Sequence, residues 1–365
     1  MNIFREITSE GTLFKDERVF RPDYVPAELL FREKHISEIA RSVRPAAHGK
    51  QPQNLLLYGP SGTGKTSCAR FVLRELSEYS QRAQPIYLNC WEYSSRHMVL
   101  HALLEGIGMM APKRGLSSNE IMEKVVGGLR QSGKIPILVL DEVDRLFAAS
   151  SEEQKVLYDL GRMPEIHGLQ IGLVGITNNR DVLVRADART KSSLMQGEIE
   201  FSKYSPQELK GILSERAKLG YCDGALEKEV VPLCAAISAK NGGDARVALA
   251  LLWKAGLEAD GKGAKKVLVE HVKAVQEKCI QEAKTLGIRK EEELAEMERR
   301  IVKIIAAEGG SIESGELYEQ LGAAMGEERA VRLHIAKMVK SGVLEEKETN
   351  DKGRKKRILG IRGPK

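Results

Sequence analysis

The sequence contains no run of about 18 or more apolar residues, the length that a helix needs to cross a bilayer. Its first residues, MNIFREITSEG, lack the basic segment followed by an apolar stretch that marks a secretory leader. The cysteines form no CxxC pair and no metal-binding spacing; they are Cys68, Cys90, Cys222, Cys234 and Cys279. We therefore expect no membrane span, no signal peptide and no cysteine metal site, and the protein is expected in the reducing cytoplasm.

Charge is distributed unevenly along the 365 residues. The net charge is +6, and residues 327–365 hold 12 Lys and Arg against 6 Asp and Glu. The remaining 326 residues hold 45 of each sign, so all the excess positive charge lies near the C-terminal end. Such a concentrated basic segment is the electrostatic footprint of a module that binds nucleic acid.

Short apolar runs alternate with helical patterns between about residues 51 and 201. Runs without polar alternation are typical of strands buried on both faces of a parallel sheet. We predict strands at Leu55–Tyr58, Ile86–Leu88, Ile137–Leu140, Ile171–Ile176 and Ile199–Phe201. Helical segments between them imply strand–helix–strand crossovers. The expected fold is an α/β domain, a parallel sheet flanked by helices.

From Ser205 onward the pattern becomes helical. Ser205, Pro206 and Glu208 provide the N-cap, the first helical residue and the glutamate of a capping box. A charge run at 290–300 is interpreted as a solvated helix face or linker. We predict three domains: 1–200, an N-terminal lead with the α/β domain; 201–288, an all-α lid; and 289–365, a DNA-binding domain.

The segment GPSGTGKT fits the phosphate-loop pattern GxxxxGK[ST]. It follows the apolar run NLLLY and precedes a helical stretch at Ser67–Ser80, which is the context that this motif requires. Backbone N–H groups and the helix N-terminus would surround phosphates. Lys65 would neutralise the β- and γ-phosphates, and Thr66 would bind magnesium. The nucleotide-binding residues expected here are Gly59, Pro60, Ser61, Gly62, Thr63, Gly64, Lys65, Thr66 and Ser67.

Two carboxylates follow the apolar run Ile137–Leu140, 76 residues after Lys65. An acidic pair at the end of a buried strand, at this distance from a phosphate loop, is typical of a nucleotide hydrolysis site. Asp141 would hold magnesium together with Thr66. Glu142 would orient and polarise the attacking water.

The C-terminal domain has the pattern of a helix-turn-helix. Helices are expected at Ser314–Leu321 and Glu327–Ser341. The second places apolar residues on one side, at Val331, Ile335, Met338 and Val339. Basic residues that could enter a major groove fall broadly opposite, at Arg329, Arg332, Lys337 and Lys340.

Two strands, VLEEKET and RILGI, are predicted after these helices, joined by the turn NDKGRKK. A basic hairpin after a helix-turn-helix is the wing of a winged helix, and it would contact phosphates. The expected contacts are Lys352, Arg354, Lys355, Lys356 and Arg357. A hairpin with no ligand and a surface for protein contacts are the alternatives that the residues leave open.

As a whole, the chain resembles the AAA+ archaeal replication initiators related to the origin recognition complex and the cell-division-control loader. The stretches that carry the resemblance are YVPAELLFREKHI (24–36), LLLYGPSGTGKT (55–66), YLNCWEY (87–93), LVLDEVDRL (138–146), GLVGITNN (172–179), ADARTKSSL (186–194), FSKYSPQELKGILSERA (201–217) and GGDARVALALL (242–252).

This resemblance implies roles for further residues. Asn178 looks like the sensor that positions water near the γ-phosphate, and Arg246 looks like the lid sensor of the phosphates. Tyr204 and Arg216 would contribute to the nucleotide pocket from the lid. Arg189 looks like the arginine offered to a neighbouring subunit's nucleotide, although Ala188 replaces the usual preceding proline. A structural salt bridge is the alternative for Arg189.

The family also inserts a helical element that touches the DNA minor groove, expected here within 94–118. Its candidate contacts are Met109, Met110, Lys113 and Arg114. Methionines packed in the core and solvated basic residues are the alternative.

The function implied is a slow ATPase that uses ATP and Mg²⁺ as a switch. It would bind double-stranded origin DNA, associate with the nucleoid, and melt the origin or load the replicative helicase. Other initiator subunits are possible partners. A nucleotide-controlled transcription regulator and a clamp-loader-like remodelling ATPase are the alternatives.

Overall fold

The computed structural model describes residues 12–110, 112, 115–148, 151–178, 196–282, 300–301, 304–305, 308, 311–321, 331, 335, 338–339, 344–351 and 354–361. Contacts between Cα atoms divide the chain into two units, Met1–Ile280 and Gln281–Lys365. None of the helices within these described residues is long and apolar enough to span a bilayer.

The first unit combines a parallel sheet, one turn of 3-10 helix at Glu17–Phe20 and a set of α-helices. Its strands are β1 (Leu55–Tyr58), β2 (Ala83–Asn89), β3 (Ile135–Asp141), β4 (Gly172–Thr177) and β5 (Gly197–Glu200). Its helices are α1 (Glu33–Ala47), α2 (Lys65–Tyr79), α3 (Arg96–Gly106), α4 (Ser118–Ser132), α5 (Asp144–Ala148), α6 (Ser151–Gly161), α7 (Met163–His167), α8 (Pro206–Gly220), α9 (Val230–Lys240) and α10 (Ala245–Gly261), with further helical backbone over 269–280. Every predicted strand is present, with ends shifted by at most three residues.

The five strands are parallel and lie in the order β2-β3-β4-β1-β5. The register pairs Tyr58 with Thr177 and Asn89 with Asp141, so the carboxyl ends of four strands lie along one edge. Ligands of open parallel sheets bind in the crevice beyond these ends. The topology therefore brings the residues that follow β1, β3 and β4 together.

Strand β3 is buried along its whole length, and its side chains alternate between two cores. Leu138 and Leu140 pack with α3, α4 and α6 on one face of the sheet. Ile137 and Val139 pack with α1 and α2 on the other. Because helices cover both faces, the strand is apolar until Asp141, where it reaches the edge of the sheet.

The segment before α1 packs into a third core, formed mainly by α8, α9 and α10. The Phe14 ring stacks on Tyr221 with centroids 4.6 Å apart, and the Lys15 N–H donates to the Gly220 carbonyl at 2.8 Å. A Cβ at Gly220 would lie 2.3 Å from the Phe20 ring, so only glycine admits this approach. The N-terminal segment is thus attached to the helical lid, whereas α1 packs on the sheet. The sequence pattern does not predict this attachment.

Arg96, the first residue of α3, is a buried charge that joins three helices. Its side chain is 6% exposed and donates from Nη2 to Asp159 Oδ2 at 2.8 Å and to Asn119 Oδ1 at 3.0 Å. Asp159 lies on α6, and Asn119 lies in the first turn of α4. The contacts therefore fix the segment that contains the expected insert against the rest of the α/β domain.

Replacing Arg96 with Met is expected to lower the free energy of unfolding by about 3 kcal/mol. The substitution removes the charged partner of the Asp159 carboxylate, which is 15% exposed. Urea denaturation of the full-length protein, followed by circular dichroism, measures the loss. Lys218→Met is the control, because the Lys218–Glu215 pair is exposed and contributes about 1 kcal/mol or less. Equal losses in the two variants would contradict the role given to Arg96.

The two methionines of the expected insert differ in their surroundings. The Met109 side chain packs on α4, where a Cβ added to Gly128 would lie 2.8 Å from its Cγ. Met110, in contrast, is 95% exposed. The core alternative therefore holds for Met109, because its side chain fills the space that the glycine leaves. Lys113 and Arg114 lie outside the described residues.

The second unit contains a three-stranded antiparallel sheet. Its elements are β6 (Ser311–Glu313), α11 (Ser314–Gln320), β7 (Leu344–Asp351) and β8 (Arg354–Ile361), with strand order β6-β8-β7. The backbone is helical at the four apolar positions of the predicted second helix, and three of them, Val331, Ile335 and Met338, are buried in a small core. The basic residues predicted on its other side, Arg329, Arg332, Lys337 and Lys340, lie outside the described residues.

The hairpin of this unit is tighter than predicted. β7 continues to Asp351 and β8 begins at Arg354, so two residues connect the strands instead of the seven in NDKGRKK. Arg354, Lys355, Lys356 and Arg357 therefore lie on a strand. Because backbone groups make the hydrogen bonds of strand pairing, a run of charged residues is compatible with a strand. Lys352 lies outside the described residues.

Candidate functional site

The loop between β1 and α2 is shaped by glycines at positions that other residues would not fit. Gly62 and Gly64 have φ of 71° and 93°, in the left-handed region that favours glycine. A Cβ at Gly62 would lie 1.7 Å from Asp244 Oδ1, and one at Gly59 would lie 2.2 Å from the Phe201 carbonyl oxygen. The lid therefore packs directly against the loop, and the loop forms a cradle of backbone groups suited to phosphates.

Lys65 opens α2, and its ammonium group lies inside this loop. Its Nζ donates to the carbonyls of Gly59 and Pro60 at 2.6 and 2.7 Å, and to Asn178 Oδ1 at 3.0 Å. The residue is 5% exposed, and burial lowers the pKa of its ammonium group to about 8. A buried cation without a carboxylate among these acceptors would be stabilised by an anion, so the site suits a phosphate.

Asp141 collects hydrogen bonds on both carboxylate oxygens at the end of β3. The Thr66 hydroxyl and the Tyr87 hydroxyl each donate to Oδ2 at 2.7 Å. The Glu142 N–H donates to Oδ1 at 2.9 Å. A hydroxyl and a carboxylate adjoining a phosphate loop are the oxygen ligands that Mg²⁺ prefers, so Thr66 and Asp141 fit a magnesium ion.

Glu142 has φ of 54°, which is rare for a residue other than glycine. Such a conformation costs on the order of 1–3 kcal/mol and is found mainly at functional sites. Glu142 lines the same cavity as Asn178, which directly follows β4. The two side chains are therefore placed where they could act on a water beside a bound phosphate.

Arg246 connects the lid to the phosphate loop. Asp244 caps α10 by accepting the Arg246 N–H at 2.8 Å, and it also forms an ion pair with the Arg246 guanidinium at 2.8 Å. The same guanidinium donates from Nη2 to the Ser61 hydroxyl. Asp244 raises the pKa of Arg246 above its usual value, so the side chain stays cationic at the loop. A lid residue thus lies where it could respond to a nucleotide.

Tyr204 and Arg216 lie on the lid side of the cavity, and each contacts the N-terminal region. The Arg32 guanidinium stacks 3.8 Å above the Tyr204 ring, and the Tyr204 hydroxyl lies close to Gly64. Arg216 donates to the Val19 carbonyl at 3.0 Å, and burial lowers its pKa. Besides lining the cavity, Arg216 therefore holds the N-terminal segment against the lid.

The cavity has a volume of about 700 Å³ and lies between the sheet edge and the lid. The phosphate loop forms one end of it. An apolar part of its wall is formed by Trp253 of α10 and by residues of the N-terminal segment, namely Phe20, Pro22, Val25, Pro26, Leu29 and Leu30. A loop that binds phosphates next to an apolar chamber suits a nucleotide, whose base is planar and weakly polar.

Sequence reasoning missed several residues of this site. Arg32 is 3% exposed and donates to three carbonyls, those of Phe31, Thr63 and Ser202, at 2.8–3.0 Å. Tyr87 and Arg70 reach the acidic end of the cavity. Arg32 and Tyr87 lie within stretches that carry the family resemblance, and this was the one signal that could have drawn attention to them.

One of the residues predicted to act on the nucleotide cannot be placed. Arg189 lies outside the described residues, between β4 and β5. The other residues predicted to bind the nucleotide lie together at the sheet edge and the lid. Ser67 lies in the first turn of α2. The Thr63 hydroxyl donates to the Pro60 carbonyl at 2.8 Å.

The chain is similar to proteins of known families and structures. Residues 47–183 match the AAA domain family, and residues 210–277 match the Cdc6 AAA+ ATPase-type lid domain family. It is 36% identical over 328 residues to the ORC1-type DNA replication protein 1 of Archaeoglobus fulgidus, covering 87% of this chain and 78% of that protein. It is 35% identical over 346 residues to the ORC1-type DNA replication protein 1 of Aeropyrum pernix, covering 92% and 86%. The solved structure of the Aeropyrum pernix ORC1 protein in complex with DNA has a TM-score of 0.69 and 33% identity, covering 97% of this chain and 95% of that chain.

Proposed function

Because the chain belongs to the family of ORC1-type DNA replication proteins, with an AAA+ domain and a Cdc6-type lid, we propose that it is an ATP-dependent replication initiator. It binds double-stranded origin DNA and promotes origin melting or loading of the replicative helicase. The observation that carries the proposal is the contact between Arg246 and Ser61. Since the lid meets the phosphate loop directly, the state of a nucleotide in that loop can set the position of the lid.

In this proposal each residue of the cavity contacts a different part of ATP or its magnesium ion. Lys65 neutralises phosphate charge within the loop Gly59–Ser67. Asn178 from the sheet and Arg246 from the lid contact the terminal phosphate. Thr66 and Asp141 hold Mg²⁺, which when bound neutralises phosphate charge that the protein leaves uncompensated. Tyr204 and Arg216 close the cavity from the lid.

Hydrolysis is proposed to be slow, so that ATP serves as a switch rather than as a source of continuous work. Glu142 orients the attacking water and polarises it. Arg189 is proposed to reach the nucleotide of a neighbouring initiator subunit, where such an arginine adds roughly 10³–10⁵ to the rate. A solitary subunit would then hydrolyse ATP more slowly than an assembled one.

DNA binding is proposed for the second unit, as a winged helix, and for the insert at 94–118. We retain the predicted boundaries, with the α/β domain at 1–200, the lid at 201–288 and the winged helix at 289–365. Basic residues of the second helix would enter the major groove, while Lys113 and Arg114 would approach the minor groove beside Met110. The protein would act on the nucleoid in the cytoplasm.

The register of the hairpin distinguishes its basic residues. Arg354 and Arg357 pair with Asp351 and Glu348, whereas Lys355 and Lys356 pair with Asn350 and Thr349. Opposite charges that face each other across an antiparallel pair attract. The positions of Lys355 and Lys356, which the register pairs with neutral residues, are therefore proposed as the stronger candidates for phosphate contacts.

Replacing Lys355 and Lys356 with Ala is expected to weaken binding to all duplex DNA and to reduce the slope of log K against log salt by about 1, because consecutive residues of a strand lie on opposite faces. Replacing Arg354 and Arg357 with Ala, the matched control, is expected to change the slope less. Fluorescence anisotropy over a KCl series measures both variants, with ATP and without nucleotide. An unchanged salt slope in the lysine variant would show that these residues do not contact the DNA. Equal DNA affinity of the wild-type protein with and without ATP would contradict the role of ATP as a switch.

A further inference from the structure

Tyr87 lies on β2, and its hydroxyl reaches across to β3. The register pairs Tyr87 with Val139 and Asn89 with Asp141. Because alternate residues of a strand share a face, Tyr87 and Asp141 lie on the same side of the sheet. The hydroxyl donates to Asp141 Oδ2 at 2.7 Å, so this residue of one strand holds the carboxylate that ends the next.

Asp141 is 6% exposed, and its carboxylate is held from three directions. Thr66 and Tyr87 donate to one oxygen, and the Glu142 N–H donates to the other. The Thr66 hydroxyl is itself a proposed ligand of the cation. Of these two side-chain donors to Asp141, only Thr66 is also proposed to bind the cation. Tyr87 is therefore the donor whose proposed role is to hold the carboxylate alone.

Arg70 holds the Tyr87 ring in place. Its guanidinium carbon lies 4.1 Å from the centre of the ring, a distance typical of a cation–π contact. Arg70 lies one helical turn after Thr66 on α2, so the helix that begins at the phosphate loop also carries the group that fixes Tyr87. Arg70, Tyr87 and Asp141 thus form a continuous chain of contacts beside the cavity.

We propose that Tyr87 is a positioning residue that orients the Asp141 carboxylate for the divalent cation of the nucleotide, and that Arg70 fixes Tyr87 for this role. The inference rests on the proposed function, since it assigns a task within the same site. Groups that orient a metal-binding carboxylate commonly change metal affinity by 10–100-fold when they are removed. The effect should therefore appear in the dependence on Mg²⁺ and not in the fold.

Tyr87→Phe tests the proposal because it removes the hydroxyl and keeps the ring. Binding of ADP with a fluorescent ribose label is titrated with full-length protein over a series of Mg²⁺ concentrations and in EDTA. The half-saturating Mg²⁺ concentration is expected to rise about tenfold. Affinity in EDTA should not change, and circular dichroism without nucleotide should show that the variant keeps its secondary structure. Tyr58→Phe is the matched control, because Tyr58 is another strand tyrosine and its hydroxyl lies 3.4 Å from the Glu200 carboxylate on the neighbouring strand.

A Tyr87→Phe protein with the wild-type Mg²⁺ dependence would overturn the inference and leave the proposed function intact. Equal losses of affinity in Mg²⁺ and in EDTA would also overturn it, because they would indicate a general packing role. A wild-type protein that binds no labelled ADP under any condition would instead refute the proposed nucleotide site, and the inference with it.

Arg70→Met separates the two parts of the chain of contacts. It is expected to raise the half-saturating Mg²⁺ concentration about threefold, in keeping with the modest strength of a cation–π contact. Adding Arg70→Met to Tyr87→Phe should raise the half-saturating Mg²⁺ concentration little further, because Arg70 is proposed to act by positioning the Tyr87 hydroxyl. A full additive effect in the double variant would contradict the part given to Arg70.

Discussion

Replacing Lys65 with Ala is expected to lower the affinity for ATP by about 10²–10³-fold. The ammonium group is 5% exposed and lies within the loop that would surround the phosphates. A loss of 10²–10³-fold equals about 2.7–4.1 kcal/mol, which lies within the roughly 1.5–6 kcal/mol expected from one or two hydrogen bonds to a charged group. Without Lys65 the phosphate charge would meet only neutral groups within the loop.

Isothermal titration calorimetry of the full-length variant measures this loss. Lys50→Ala is the control, since Lys50 is exposed and does not line the cavity. The thermal unfolding midpoint without nucleotide shows whether the variant remains folded. Tight ATP binding by a folded Lys65→Ala protein would contradict the assignment of the site.

Replacing Glu142 with Gln is expected to reduce the rate of ATP hydrolysis by about 100-fold or more, with ATP affinity changed by less than threefold. Glutamine keeps the size of the side chain but cannot accept a proton, and removing a general base typically costs 10²–10⁴ in rate. The left-handed backbone at this position should be preserved, because Gln and Glu have similar conformational preferences.

Single-turnover hydrolysis of radiolabelled ATP and calorimetric ATP binding separate the two effects. Glu78→Gln, an exposed substitution on α2, is the matched control and should behave as the wild type. Normal turnover in Glu142→Gln would assign activation of the water to another residue. Loss of ATP binding would show instead that Glu142 supports the site's structure.

The sequence was most informative where the site is built from contiguous residues. The phosphate loop and the two carboxylates after β3 follow from local spacing, because a strand, a loop and the next helix fix where each group lies. Asp141 could be placed since β3 is apolar until the sheet edge. The capping box at Ser205 and Glu208 was likewise predicted from local pattern, and it is present at the start of α8.

Residues that act through distant contacts could not be found in this way. Tyr87 reaches Asp141 because β2 lies beside β3, and no local pattern gives the order β2-β3-β4-β1-β5. Arg32 joins Thr63 and Ser202, which lie 31 and 170 residues away along the chain. Packing of the N-terminal segment against the lid depends on glycines such as Gly220, because the Phe20 ring approaches too closely for any side chain at that position. This close approach is visible only in three dimensions.

The C-terminal hairpin shows a different limit. The sequence pattern predicted a basic turn over NDKGRKK, yet the register places Arg354–Arg357 on β8, paired with β7. Composition indicated where the positive charge lies along the chain. Only the strand pairing separated Arg354 and Arg357, which pair with acidic residues, from Lys355 and Lys356, which pair with neutral residues. For this reason Lys355 and Lys356 are proposed as the stronger phosphate contacts, and Lys352, Arg354 and Arg357 stay predictions.

The measurement that tests the central claim most directly is a genome-wide occupancy map of the protein in its source organism, overlaid on replication marker frequency. An initiator should occupy one or a few sites that coincide with the maxima of marker frequency. The Lys65→Ala variant, expressed at the same level, should lose that occupancy. Occupancy scattered over promoters and absent from the maxima would contradict the account and favour a nucleotide-controlled transcription regulator.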